Sequence, residues 1–190
     1  FREKTNNNSK IKNTLLDNKS FLNSDLSLLI EGETGTGKSF LAKEIHDASN
    51  AKGRFVQLNV ASFSKGLIES ELFGHVKGAF TGALKDKMGA IMEADEGTLF
   101  LDEIDSLPLS LQTKLLIFLD SKEVRSVGGF NSRKVKLRII VASGQSLDRL
   151  VGAGKFRKDL YYRVASGIKV ELPSLRDSKE IIKLLLNNFS

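Results

Sequence analysis

Residues 32–39 read Gly-Glu-Thr-Gly-Thr-Gly-Lys-Ser and satisfy G-x-x-x-x-G-K-[ST] at every fixed position. At average glycine usage, a chance match in a chain of this length has odds of about one in a hundred. The flanks agree with the motif. Leu26-Ser27-Leu28-Leu29-Ile30 predicts a buried strand, and Phe40, Leu41, Ile45 and Ala48 recur at helical spacing. A strand, a glycine loop and a helix, in that order, constrain the fold more than any other feature of the chain. Glycines let successive backbone N–H groups turn inward around phosphate oxygens, and the helix adds its positive N-terminal end. Gly32, Glu33, Thr34, Gly35, Thr36, Gly37, Lys38 and Ser39 are therefore the expected phosphate loop. In it, Lys38 is expected to reach the β- and γ-phosphates of a nucleotide and the Ser39 hydroxyl to ligate Mg²⁺.

The rest of the chain repeats the strand–helix alternation. Strands are expected at 54–60, 97–103, 135–142 and 168–172, and helices at 11–21, 67–72, 88–94, 109–119, 146–153 and 156–163. Residues 73–86 hold three glycines with little periodicity and read as a loop. This pattern predicts an α/β fold, a mostly parallel, doubly wound sheet sandwiched by helices. The expected division is a lead-in at 1–24, with residues 1–10 frayed, an α/β core at 25–177, and the start of a further helix at 178–190. That last helix carries Ile181, Ile182, Leu184, Leu185 and Leu186, an apolar face that wants something to pack on, so a lid unit is expected to be mostly missing.

A phosphate loop of this kind needs a metal-side acid at the end of a neighbouring strand. Leu99-Phe100-Leu101-Asp102-Glu103 supplies one. Asp102 is placed to hold Mg²⁺, and Glu103, one residue on, to orient and polarise an attacking water. Two acids there fit hydrolysis better than simple nucleotide storage.

Composition narrows the alternatives. The chain has no cysteine, which removes disulfides, zinc–thiolate sites and thiol nucleophiles, and its two histidines, His46 and His75, are too few for a histidine-rich metal site. No apolar run approaches the ~18 residues of a membrane span, and the first residues show no apolar leader segment, so the expected location is the cytoplasm. Lys+Arg is 29 against 23 Asp+Glu, a net charge of +6. Residues 122–163 carry eleven bases and three acids, a surplus of eight that leaves the remainder at −2. Such a segment suits a solvated basic face or a surface that meets phosphate.

Glu69-Ser70-Glu71-Leu72-Phe73-Gly74-His75-Val76-Lys77, followed by Gly78-Ala79-Phe80-Thr81-Gly82-Ala83, is a far more specific string than a phosphate loop. It resembles the central AAA+ domain of bacterial enhancer-binding proteins, the NtrC-like activators of sigma-54 RNA polymerase. The likeness runs from about Leu28 to Asp177 and takes in Phe156-Arg157-Lys158-Asp159-Leu160-Tyr161-Tyr162-Arg163 and Leu172-Pro173-Ser174-Leu175-Arg176. The resemblance implies an AAA+ P-loop ATPase that self-associates into a ring, usually a hexamer, with ATP between subunits. It implies that Gly78, Ala79, Phe80, Thr81, Gly82 and Ala83 contact sigma-54, with Phe80 and Thr81 foremost. It further implies that Asn59 restrains the catalytic Glu103, and that Arg157 and Arg163 enter the neighbouring subunit's ATP site. An arginine delivered in trans is worth ~10³–10⁵ in rate, which gives the basic segment a purpose. DNA contact would come only through a domain absent from this chain, and no membrane partner is expected.

Three positions depart from the family's pattern. Ser39 stands where glutamate is common, Val60 where cysteine is customary, and Ser143-Gly144 where threonine and a polar residue that senses the γ-phosphate are usual. Gly144 has no side chain to bond phosphate or water, so either hydrolysis or its coupling is weakened or Ser143 or Gln145 substitutes. The same position motivates an alternative function, a nucleotide-binding regulatory module without productive hydrolysis. A nucleic-acid-binding domain rests on the basic segment alone.

Overall fold

The computed structural model describes residues 6–173. In chain order the elements are α1 (Asn6–Asp17), α2 (Lys19–Leu22), β1 (Leu28–Glu31), α3 (Lys38–Ala48), β2 (Phe55–Asn59), α4 (Lys65–Phe73), α5 (Ala90–Glu93), β3 (Thr98–Asp102), α6 (Leu109–Ser121), β4 (Glu123–Arg125), β5 (Ser132–Lys134), β6 (Arg138–Ser143), α7 (Leu147–Gly152), α8 (Lys158–Ala165) and β7 (Ile168–Glu171). Five strands form one parallel sheet in the order β2-β3-β6-β1-β7. β1 lies between β6 and β7 while the chain leaving it crosses to β2 at the far edge, so its C-terminal end opens at a switch in the direction of winding, where α/β sheets bind ligands.

The two-residue alternation of strand side chains divides the core. Leu29, Leu99, Leu101, Ile139 and Val141 join one apolar cluster, roofed by Ile68 and Leu72 of α4, Leu115 and Phe118 of α6, and Leu160 and Val164 of α8. Leu28, Ile30, Phe100, Ile140 and Ala142 face the other way, against Leu15, Phe21 and Leu22 of the lead-in and Leu41, Ala42 and Ile45 of α3. Continuous apolar runs at β1, β3 and β6 are what a parallel sheet covered on both faces requires. Each fully buried large side chain contributes about 1.5–3 kcal/mol.

Four features differ from the sequence-based expectation. The lead-in helix begins by Asn6 and is broken at Asn18, whose Oδ1 accepts the Phe21 N–H at 3.0 Å and so caps a new turn. Residues 88–94 form only one turn of helix, Ala90–Glu93. An antiparallel hairpin, β4–β5, follows α6 where no strand was expected. Finally, the basic segment is not one face. Arg138 is 5% exposed beneath the lead-in, its guanidinium 4.1 Å from the Phe21 ring centroid. It donates to the carbonyls of Phe21 (3.0 Å), Leu22 (3.2 Å) and Leu26 (3.3 Å). Burial pushes its pKa down to about 10, against the opposing pull of Asp25. This arginine fastens the lead-in to the sheet and meets no phosphate. The expected helix at 178–190 lies outside the described residues.

Among the described residues, no helix is long and apolar enough to cross a membrane.

Candidate functional site

The phosphate loop leaves β1 and is fixed at both ends. Gly32 N–H donates to Ser143 C=O (3.1 Å), which ties the loop's first residue to the end of β6. Gly37, at φ +90°, is the N-cap of α3, a left-handed position that glycine takes at least cost. Lys38 is buried, and its Nζ donates to Gly32 C=O (2.7 Å) and Glu33 C=O (2.8 Å), so the charge is held under the loop. Thr36 Oγ1 donates to Glu33 C=O (2.8 Å).

Strand β3 delivers the acids. Asp102 Oδ2 accepts the Ser39 hydroxyl at 3.3 Å, which brings together the two side chains expected at the metal. Their hard oxygens suit Mg²⁺, which takes few protein ligands and keeps waters and substrate phosphates in its shell. Among the described residues no cluster of three or more His, Cys, Asp or Glu competes as a metal site. Glu103 follows in the left-handed conformation (φ +53°, ψ +46°), and its N–H donates to Asp102 Oδ1 (3.0 Å). A non-glycine residue held there is strained, and such strain concentrates at functional sites. The kink takes Glu103 off the line of the strand. Asn59 ends β2 directly beside Asp102, and its Oδ1 is buried without a hydrogen-bond partner among the described residues.

Beside the loop is a cleft of about 730 Å³, lined among others by Gly32, Glu33, Gly144, Gln145, Ser146 and Arg149. Neither Arg157 nor Arg163 lines it. Both belong to the α8 region. Arg157, its N-cap, is exposed and bidentate on Asp159 (3.0 and 2.7 Å), an arrangement that raises its pKa. Arg163 donates from Nη2 to Leu119 C=O (2.9 Å), and its Nε is ion-paired with Asp120 at 2.8 Å. Val60 packs in the core, as a swap of small apolar residues would.

The second expected site lies elsewhere. Residues 78–83 form a tight loop, exposed except for half-buried Ala79 and buried Ala83, closed by Gly78 N–H to Ala83 C=O (2.9 Å) and Ala83 N–H to Phe80 C=O (3.0 Å). Gly78 (φ +82°) and Gly82 (φ +99°) supply its left-handed corners. Phe80 is 40% exposed and Thr81 is exposed. Phe80 is not without company: its ring meets His75 edge-on at 5.0 Å, and His75 Nδ1 is bonded to Ser70 Oγ (2.6 Å). What the sequence did not reveal is the support. Val76 N–H donates to Val127 C=O (3.1 Å) and Val127 N–H to Gly74 C=O (2.9 Å), so the connection between β4 and β5 braces the stem of the loop. At its tip Phe130 is 96% exposed. The strands of that hairpin are three residues each and mostly charged, which left no alternation to read.

A parallel sheet with a phosphate loop after β1 and two acids after β3 defines an α/β P-loop NTPase domain of the AAA+ class. The sigma-54 interaction domain family matches residues 5–170, and the chain belongs to it. It is 49% identical over 167 residues to regulatory protein AtoC of Escherichia coli K12, covering 87% of this chain and 36% of that protein. It is 50% identical to the DNA-binding transcriptional regulator NtrC of Salmonella typhimurium, again over 87% of this chain and 35% of the relative. The chain thus spans about a third of the length of these relatives. Its fold is similar to NtrX of Brucella abortus solved with ATP, at 32% identity and TM-score 0.83 over 95% of this chain and 40% of that one. The P-loop NTPase domain of a sigma-54 transport activator from E. coli shares the fold at 22% identity, TM-score 0.56, over 87% of this chain and 94% of that one.

Proposed function

We propose that this domain hydrolyses ATP with Mg²⁺ and uses the turnover to drive residues 78–83 against sigma-54, remodelling closed complexes of sigma-54 RNA polymerase so that transcription begins. The observation that carries the reading is the meeting of Ser39 and Asp102, 3.3 Å apart, with Lys38 buried under the same loop and Glu103 kinked out beside it. These four side chains come as two adjacent pairs, 38–39 and 102–103, from distant stretches of sequence.

In this reading the loop's N–H groups and Lys38 bind the β- and γ-phosphates and neutralise charge as it shifts. Glu103 accepts a proton from water as its oxygen attacks the γ-phosphorus. The bond from that phosphorus to the bridging oxygen breaks and its electron pair leaves with ADP. Ser39 and Asp102 would hold Mg²⁺, which would supply further neutralisation of the phosphates. Asn59, beside Asp102, restrains the Glu103 carboxylate until the partner is engaged. Arg157 and Arg163 act across a ring, usually of six subunits, and reach a neighbour's triphosphate. In this structure Arg157 pairs with Asp159 of its own helix and Arg163 with Asp120 of α6, so both pairs open for that reach. The ATP bound by the NtrX relative supports the nucleotide assignment. DNA contact belongs to a separate domain, and the setting is the cytoplasm.

The test is Glu103→Ala in the purified protein. Hydrolysis should fall about 10²–10⁴-fold while ATP affinity stays within a few-fold. A variant that hydrolyses at the wild-type rate removes Glu103 as the base. Gly144, with no side chain at the end of β6, favours a second reading in which nucleotide is bound without productive turnover. Wild-type single-turnover kinetics with no detectable phosphate release would select it.

A further inference from the structure

At the end of the sheet opposite the phosphate loop lies a second cavity, of about 220 Å³. It sits where β3 and β6 begin, at Thr98 and Arg138, and its sides are closed by the lead-in at 23–25 and the 49–52 connection after α3. Its size falls below the ~300–1,000 Å³ of pockets for drug-sized ligands, so it suits a small molecule. Its charged lining has both signs, Arg138, Lys52 and Lys136 against Asp25 and Glu96.

The fold leaves two of these residues incompletely satisfied. Arg138 is buried, and arginine is seldom buried without a carboxylate partner. Its three bonds all go to main-chain carbonyls of the lead-in. Among the described residues it has no ion pair, and Asp25 acts on it only at a distance. A guanidinium has five N–H groups, so two remain, one on each terminal nitrogen. Glu96 is the other residue. It is held at φ +57°, with its N–H donating to Lys136 C=O (2.7 Å) and its C=O accepting the N–H groups of Lys52 (3.1 Å) and Gly53 (2.8 Å). Its side chain is exposed and makes no hydrogen bond or ion pair among the described residues. A strained non-glycine residue whose side chain does nothing for the fold points to a function.

We propose that this cavity binds a small α-amino acid, its carboxylate on the free N–H groups of Arg138 and its ammonium toward Asp25 and Glu96. The ligand supplies the carboxylate that the buried guanidinium lacks. A simple carboxylic acid would meet Asp25 and Glu96 as like charges, and a simple amine would leave Arg138 as it is. Only a molecule with both charges answers both halves of the lining. Bound there, it bridges the lead-in to the beginnings of β3 and β6, away from the nucleotide cleft.

Isothermal titration of the purified protein with three probes tests this. L-Alanine carries both charges, propionate lacks the ammonium, and L-alaninamide lacks the carboxylate. L-Alanine should bind about 10-fold or more tighter than either, the worth of a charge-assisted hydrogen bond. It should also raise the midpoint of thermal unfolding as it saturates the site. Saturating ATP should leave its affinity unchanged. Glu96→Gly should weaken L-alanine binding by about 3- to 5-fold, as an exposed charge would. The midpoint of that variant without ligand should stay equal or rise, because glycine takes φ +57° at least cost. A role of Glu96 in folding alone would instead lower that midpoint and leave the affinity as it is. The proposal is overturned by undetectable L-alanine binding, by propionate or L-alaninamide binding as tightly, by displacement with ATP, or by wild-type affinity in Glu96→Gly.

Discussion

Residues 32–39 and residues 78–83 are both glycine loops with left-handed corners, and they are held in opposite ways. The first is pinned to the sheet. Its lysine is buried, its threonine and lysine bond its own carbonyls, and its first N–H is taken by β6. The second is closed on itself, stands in solvent, and touches the body through His75 and the 126–129 connection. The pinned loop is the architecture that fixed N–H donors for phosphate-charge stabilisation demand. The other leaves a short segment with few buried contacts, which can shift at small cost. The same residue type therefore serves a rigid cradle at one place and a presented tip at another, and burial of the neighbours tells them apart.

The largest expected effect would break the cradle alone. Lys38→Ala should weaken ATP binding by about 100-fold or more, since charge-assisted bonds to phosphate are lost. Thr81→Ala should leave ATP affinity within about 2-fold. Isothermal titration on both variants checks the pair; a joint loss would mean the two loops are one site.

Next in size is a stability effect remote from both loops. Arg138→Met should cost about 2–4 kcal/mol in urea unfolding, because three carbonyls lose their buried donor. A cost below about 0.5 kcal/mol would mean that the lead-in is not fastened this way.

A smaller effect should fall on the second loop's brace. Gly128 has φ +73°, and an added Cβ would come within 2.8 Å of Ala79. Gly128→Val should destabilise by about 1–3 kcal/mol and impair sigma-54 binding with ATP affinity unchanged. Phe130→Ser, at an exposed tip, should change stability by less than about 0.5 kcal/mol.

The smallest is a pH effect. His46 is held below its ordinary value of 6.5, first by burial and then by Lys43, with Asp47 opposing. Between the lowered native value and 6.5 the unfolded chain binds more protons, so stability rises with pH across that window. Its contribution is present above pH 6.5 and is lost as pH falls through the native value. His46→Gln should flatten that part of the stability profile; an unchanged slope would assign it to other groups.

Much of this arrangement is legible in the amino-acid sequence. The strand–loop–helix around residues 32–39, the acids at 102 and 103 and the alternation of elements all rest on local pattern, and they fall where spacing puts them. The 78–83 string was legible through resemblance. The rest depends on contacts between distant residues. Arg138 is one basic residue among eleven in its segment, and its burial against Phe21 and the lead-in carbonyls, not its sequence, shows that it is interior. The β4–β5 hairpin has no apolar period, and its meaning comes from bonds to residues 74 and 76. Asp105 carries no motif signal of its own, yet it links Ser143, Gly144 and Gln145.

The central claim is that one end of the sheet hydrolyses ATP and a separate loop spends the result on sigma-54. The most direct measurement is ATP hydrolysis and sigma-54-dependent transcription activation, taken side by side on Glu103→Ala and Thr81→Ala. The account predicts that Glu103→Ala loses both activities, whereas Thr81→Ala keeps hydrolysis and loses activation. Activation that persists in Glu103→Ala, or hydrolysis that disappears in Thr81→Ala, would contradict it.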